Sequence, residues 1–238
     1  MSAVEKKTKA SEQGSDAGAL FVERLTDFLR RSRVALLVVA AIFVVALVSA
    51  GVVSAVRQDR LAKSSAAMDS LDAAYDDWLA LAEDARPSAS ASLLADAAAV
   101  AEGYDGMYAE LRAHLVQARV HYILKDYASA EKAFLAVTDA DPDSHLALVS
   151  LANASAMAEE RGDKEAALAH LSRAEKDYPA AAGLARIRFN IGRIYEETKQ
   201  YDKAMSAYGA LAALPEESDW TKLARDRIIY LRSLGLAQ

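Results

Sequence analysis

The spacing of apolar positions divides the chain into stretches of different character. Residues 1–19 are rich in Lys, Ser, Gly and Glu and have no apolar period, which predicts a disordered tail. Leu20 to Arg31 (LFVERLTDFLRR) is amphipathic and basic, the pattern of a helix lying along a membrane surface. From Val34 to Val56 there are 23 consecutive residues without a charge, bracketed by Arg30, Arg31 and Arg33 before and Arg57, Arg60 and Lys63 after. At about 1.5 Å per residue that run reaches about 35 Å, enough to cross a hydrocarbon core of about 30 Å. It predicts a single transmembrane helix. The rival reading is a cleaved signal peptide, for which Val53-Ser54-Ala55 offers small residues. Signal peptides have apolar cores of only about 7–15 residues, however, and here the longer run follows a polar leader.

After the run, helical spacing returns. Leu61, Met68, Leu71, Tyr75, Trp78 and Leu79 recur through Arg57 to Asp84, a segment without Pro or Gly, so the anchor helix is expected to continue into the following domain. Pro87 and its Ser-Ala neighbours mark a first turn, with helix resuming over residues 90–101. Beyond that an internal repeat sets the pattern. Ala130, Ala167 and Ala204 lie 37 residues apart, as do Phe134, Leu171 and Tyr208, and Pro142, Pro179 and Pro215 follow at nearly that interval. Each unit predicts two amphipathic helices joined at a polar turn (Lys125-Asp126, Gly162-Asp163, Lys199-Gln200) and closed by proline. The small Ala suits a close helix crossing, and the large residue four positions on fills the gap one turn later.

These units resemble tetratricopeptide repeats. The last carries Ile191-Gly192-x2-Tyr195, Ala204-x3-Tyr208 and Pro215; the middle one keeps Ala167-x3-Leu171, Ala174 and Pro179 but has Ser155 and Ala158 at the Gly and Tyr positions. The first keeps Ala130-x3-Phe134 and Pro142, with Ala118 at the Gly position. The resemblance covers roughly residues 108–236, with Trp220 to Leu234 as a capping helix of polar outer face. The expected fold is all-α: a cytoplasmic tail (1–33), a transmembrane helix (34–56), juxtamembrane helices (57–107) and a tetratricopeptide-like helical-hairpin solenoid (108–236).

Charge adds an orientation. Seven basic and five acidic residues give the first 33 residues +2, which leaves −8 of the chain's −6 total for residues 57–238. The basic excess before the apolar run predicts a cytoplasmic N-terminus and an acidic domain across the membrane. The chain has no Cys, which excludes disulfides and thiolate metal sites, and it carries no basic stripe with stacking aromatics, so nucleic acid is not an expected partner.

The layout of a short N-terminus, one span, a long juxtamembrane helix and a small repeat domain beginning Tyr108-Ala109-x-Leu111 resembles the YfgM-like family of ancillary subunits of the bacterial Sec translocon. The resemblance implies an inner-membrane scaffold with a periplasmic C-terminal domain that contacts the translocon and periplasmic chaperones. A structural part in a large envelope machine, such as a flagellar motor or secretion assembly, is the alternative.

The candidate sites are few. In the span, Ala46, Ala50 and Ser54 recur every four residues beside Gly51, a small-residue stripe that would let a second helix approach, a second copy of the chain included. In the repeats, register places Arg112, Leu115, Arg119, Asn153, Arg186, Phe189 and Arg193 toward the concave groove. Four arginines there could grip an acidic or carboxylate-terminated peptide, although arginines on helix surfaces also pair with neighbours such as Glu110 and Glu196. His114 and His121 are the one plausible metal pair, short of a third ligand. Asp139-Ala-Asp141-Pro-Asp143 lacks the Gly and the bidentate Glu of a calcium loop, having Ser144 and Ser150 there. No nucleophile with an adjacent base and no phosphate-binding glycine loop is evident, so the expectation is a binding protein without enzymatic activity, metal or cofactor.

Overall fold

The computed structural model describes residues 3–215 and 217–236, with side-chain surroundings from Glu23 onward apart from Leu25 and Leu36. Regular structure among the described residues is helical: α1 (Ala3–Ala80), α2 (Arg86–Gly103), α3 (Tyr108–Ile123), α4 (Tyr127–Ala140), α5 (Ala147–Glu160), α6 (Lys164–Asp177), α7 (Leu184–Glu197), α8 (Tyr201–Ala212) and α9 (Asp219–Ser233). The chain divides into two compact units, residues 1–61 and 62–238, and α1 contributes to both.

The first unit departs from the sequence expectation at its start, because α1 begins at Ala3 where the composition predicts a disordered tail through residue 19. Once the apolar run has nucleated a helix, extending it backwards through Ala, Lys and Glu is nearly neutral per residue, and no proline stops it. Along the run itself the large side chains from Val34 to Val56 are 52–69% exposed, with no protein packed over any face. A helix apolar all round and left uncovered needs an apolar solvent. The Leu37–Ala80 part of α1 is accordingly long and apolar enough, by length and composition, to cross a membrane. Ala46, Ala50, Gly51 and Ser54 are all exposed on it, and a Cβ built at Gly51 would meet nothing within 4 Å.

The second unit is a stack of helical hairpins in which each core is shared with the next. Leu71 and Trp78 of α1, Leu93 and Ala97 of α2, and Val116 and Val120 of α3 form the first core. Leu111, Phe134 and Met157 join α3, α4 and α5; Leu151, Leu171 and Ile187 join α5, α6 and α7; Tyr208, Leu211 and Leu231 join α8 to α9. The repeat-defining Ala130, Ala167 and Ala204 are fully buried. Pro87 lies within the first turn of α2 rather than in the preceding connection, a position that needs no backbone donor. The end of α1 is closed by Arg86, which donates to the carbonyls of Leu79 (2.8 Å) and Leu81 (3.1 Å).

The three repeat turns share one construction. Lys125, Gly162 and Lys199, at matching positions, all take a left-handed backbone, with φ of 61°, 79° and 59°. The following N–H then reaches back to the carbonyl five residues earlier: Asp126 to His121, Asp163 to Ala158, Gln200 to Tyr195. This satisfies carbonyls that a helix end leaves open. Asp126 and Asp163 next cap the outgoing helices by accepting from the N–H of Ser129 (3.2 Å) and Ala166 (2.9 Å). The last helix differs from expectation on its outer side, where Leu223, Ile229, Tyr230 and Leu234 are 42–65% exposed among the polar residues. Its inner side, with Trp220, Thr221, Ala224, Ile228 and Leu231, faces the stack, and Leu223, Ile229 and Tyr230 lie outside that stripe.

Candidate functional site

The helix positions that the repeat register assigns to the groove separate into three environments. Arg112 on α3 reaches the preceding hairpin, with Nη2 2.8 Å from both carboxylate oxygens of Asp72 on α1. Arg193 on α7 donates to both oxygens of Glu159 on α5 (2.7 and 2.9 Å) and to Glu197 one turn on (2.5 Å). Lys164 completes that cluster by donating to the same two glutamates at 3.0 and 2.7 Å. Burial alone opposes the Arg193 charge, but its bonds to Glu159 and Glu197 outweigh this and hold the guanidinium charged. Likewise burial would raise Glu197, yet Lys164 and Arg193 pull it below the ordinary carboxylate range. Neither Arg112 nor Arg193 is therefore an open grip for a ligand: each joins one hairpin to the next.

The same device recurs through the stack. Glu131 on α4, 9% exposed, accepts from Arg161 Nε and Nη2 at 3.0 and 2.7 Å, and its other oxygen lies 2.8 Å from His170 Nε2. Arg173 bonds Asp139, Arg188 bonds Glu175, and Arg227 on α9 bonds Glu196 on α7. Glu196 also accepts from the Tyr208 hydroxyl (3.0 Å), whose pKa burial pushes far up. Phe189 belongs to this end of the molecule, its ring 5.4 Å from that of Tyr208 and 5.5 Å from that of Trp220.

Leu115, Arg119 and Asn153 do come together. They line a cavity of about 450 Å³ between α3 and α5, with Phe134 of α4 among its walls. Leu115 and Phe134 are nearly buried (7% each), whereas Tyr122 and Val149 are about half exposed and contribute apolar walls that repeat register did not single out. The signal for them was present as helical spacing: Tyr122 is one turn beyond Arg119, and Val149 one turn before Asn153. Arg119 is exposed and has no carboxylate partner among the described residues; the Tyr75 phenol lies within reach of its charge. Arg186 is also exposed, without an ion pair and away from this cavity.

The remaining candidates are held by local contacts. His114 Nδ1 lies 3.1 Å from Gln117 and His121 Nδ1 3.2 Å from Asp126, so the two imidazoles engage different neighbours. No group of three His, Asp or Glu suited to a metal ion occurs among the described residues. The Asp139–Asp143 turn is tied into the stack instead: Asp139 to Arg173, and the Pro142 carbonyl to the Tyr178 hydroxyl at 2.7 Å.

A stack of helical hairpins stitched by ion pairs, with a lined concavity, is the architecture of a helical repeat protein. The chain belongs to the tetratricopeptide repeat-like domain family, whose model matches residues 27–229, the apolar part of α1 included. Domains of this family are generally non-enzymatic scaffolds for protein–protein interaction. No curated protein and no solved structure matches the chain.

Proposed function

We propose that this protein is a single-pass scaffold of a bacterial inner membrane, with its N-terminus in the cytoplasm and its repeat domain in the periplasm. The observation that carries the reading is α1: one helix supplies an uncovered all-apolar segment and then the first core residues of the repeat stack. Seven basic residues precede that segment, against three in the fifteen that follow it, which supports retention of the N-terminus on the cytoplasmic side. The acidic repeat domain would bind partners there by shape and charge. The likeness in layout to ancillary translocon subunits favours the Sec translocon and periplasmic chaperones as those partners.

Crosslinking followed by mass spectrometry on native membranes tests the partners. Recovery of translocon subunits or chaperones is the expected result. Recovery of one large envelope machine in fixed stoichiometry would overturn the translocon assignment and make the chain a structural component. Orientation is tested separately by reporters fused after Gln238, which should be active in the periplasm and silent in the cytoplasm.

A further inference from the structure

The ion pairs of the stack divide its arginines by role. Arg112, Arg161, Arg173, Arg188, Arg193 and Arg227 each hold a carboxylate of another helix or turn, and their charge is spent within the fold. Arg119 differs. It stands exposed at the wall of the α3–α5 cavity, and among the described residues no carboxylate meets its charge. A guanidinium in that setting presents several donors in a planar fork suited to a carboxylate, beside apolar walls that can bury a side chain. The cavity's 450 Å³ falls within the range of small binding pockets, about 300–1,000 Å³. Asn153 supplies a further donor and acceptor on the α5 side, half-buried. Glu160, in the last turn of α5, also lines the cavity.

We propose that this cavity receives a segment of a partner protein in which an apolar side chain stands next to an acidic residue. The apolar group packs between Leu115, Tyr122, Phe134 and Val149, and the carboxylate pairs with Arg119. This deepens the scaffold reading and rests on it, because it names the chemistry by which the repeat surface recognises a partner.

The test uses the full-length chain in detergent and short labelled peptides carrying a leucine pair followed by aspartate, by asparagine or by lysine, read by fluorescence anisotropy. The aspartate peptide should bind tightest, and Arg119→Glu should weaken it by about tenfold or more, with Arg119→Lys between the two. Arg186→Glu, which reverses an exposed cation outside the cavity, should leave binding unchanged. Thermal melting of Arg119→Glu should match the parent, since no ion pair is lost. Tightest binding of the lysine peptide, an equal loss from Arg186→Glu, an unaffected Arg119→Glu, or no binding by any peptide would each overturn the proposal. None of these results bears on the membrane crosslinking, which does not depend on Arg119, so failure of the site is distinguishable from failure of the scaffold reading.

Discussion

At Gly192 the two helices of the last repeat leave no room for a side chain. A Cβ there would lie 2.5 Å from the Tyr208 ring, and that ring is fully buried with its hydroxyl bonded to Glu196, so displacing it disturbs both its packing and that bond. Gly192→Ala should therefore lower stability by about 1–3 kcal/mol in urea unfolding. The matching positions in the other repeats, Ala118 and Ser155, are also buried. Ser155 has a buried hydroxyl with no hydrogen-bond partner among the described residues. Ser155→Ala removes that group and should raise stability by about 1 kcal/mol. The left-handed turn residues offer the opposite test to Gly192. Lys125 and Lys199 hold the conformation that Gly162 holds at the same position, and a side chain there costs about 1 kcal/mol. Substituting glycine at either lysine should raise the unfolding midpoint, whereas Gly162→Ala should lower it.

Between elements, the joints of the stack are ion pairs, and at one of them two carboxylates share two cations. The cluster of Glu159, Glu197, Lys164 and Arg193 joins α5, α6 and α7, and Glu197 is held below the ordinary carboxylate range by Lys164 and Arg193. A carboxylate with a depressed folded-state pKa adds stability that is complete above its unfolded value, about 4.3, and is lost as pH falls through the folded value. Asp126, lowered by its hydrogen bond from Ser129, acts in the same direction. The repeat unit should thus keep constant stability from neutral pH to about 5 and lose it progressively below about 4.3, as measured by denaturant titrations at each pH. In Glu197→Gln that acid-induced loss should be smaller. Reversing Arg193 should instead lower stability at neutral pH, unlike reversing Arg119, because it leaves two glutamates facing a like charge.

For the whole molecule, the uncovered apolar helix makes the strongest claim. Large side chains exposed from Val34 to Val56 have no protein to cover them, so the chain should stay with the membrane fraction after alkaline extraction. A variant lacking residues 34–56 should be released. The exposed Leu223, Ile229, Tyr230 and Leu234 on α9 do not amount to a second such segment, since Asp219, Lys222 and Asp226 interrupt them.

The sequence by itself determined the all-helical class, the apolar span and the repeat register, because each is written in local spacing: an uncharged run, a 37-residue period, a turn residue followed by a cap. It placed the boundary of the ordered helix less well, since a composition poor in apolar residues says nothing about a helix propagated from a neighbouring segment. The fate of each arginine only the tertiary structure decided. Arg193 has acids one turn away, at Glu196 and Glu197, and Arg112 has Glu110 two positions before it; both also have acids on neighbouring helices, and spacing along the chain does not say which of those packing brings near. Interhelical placement sends Arg112 to Asp72, 40 residues away, and Arg193 to Glu159, 34 residues away, while leaving Arg119 without a carboxylate among the described residues. A charge pairs with whatever packing brings within about 4 Å, and that distance is set by how hairpins stack, which no single helix encodes.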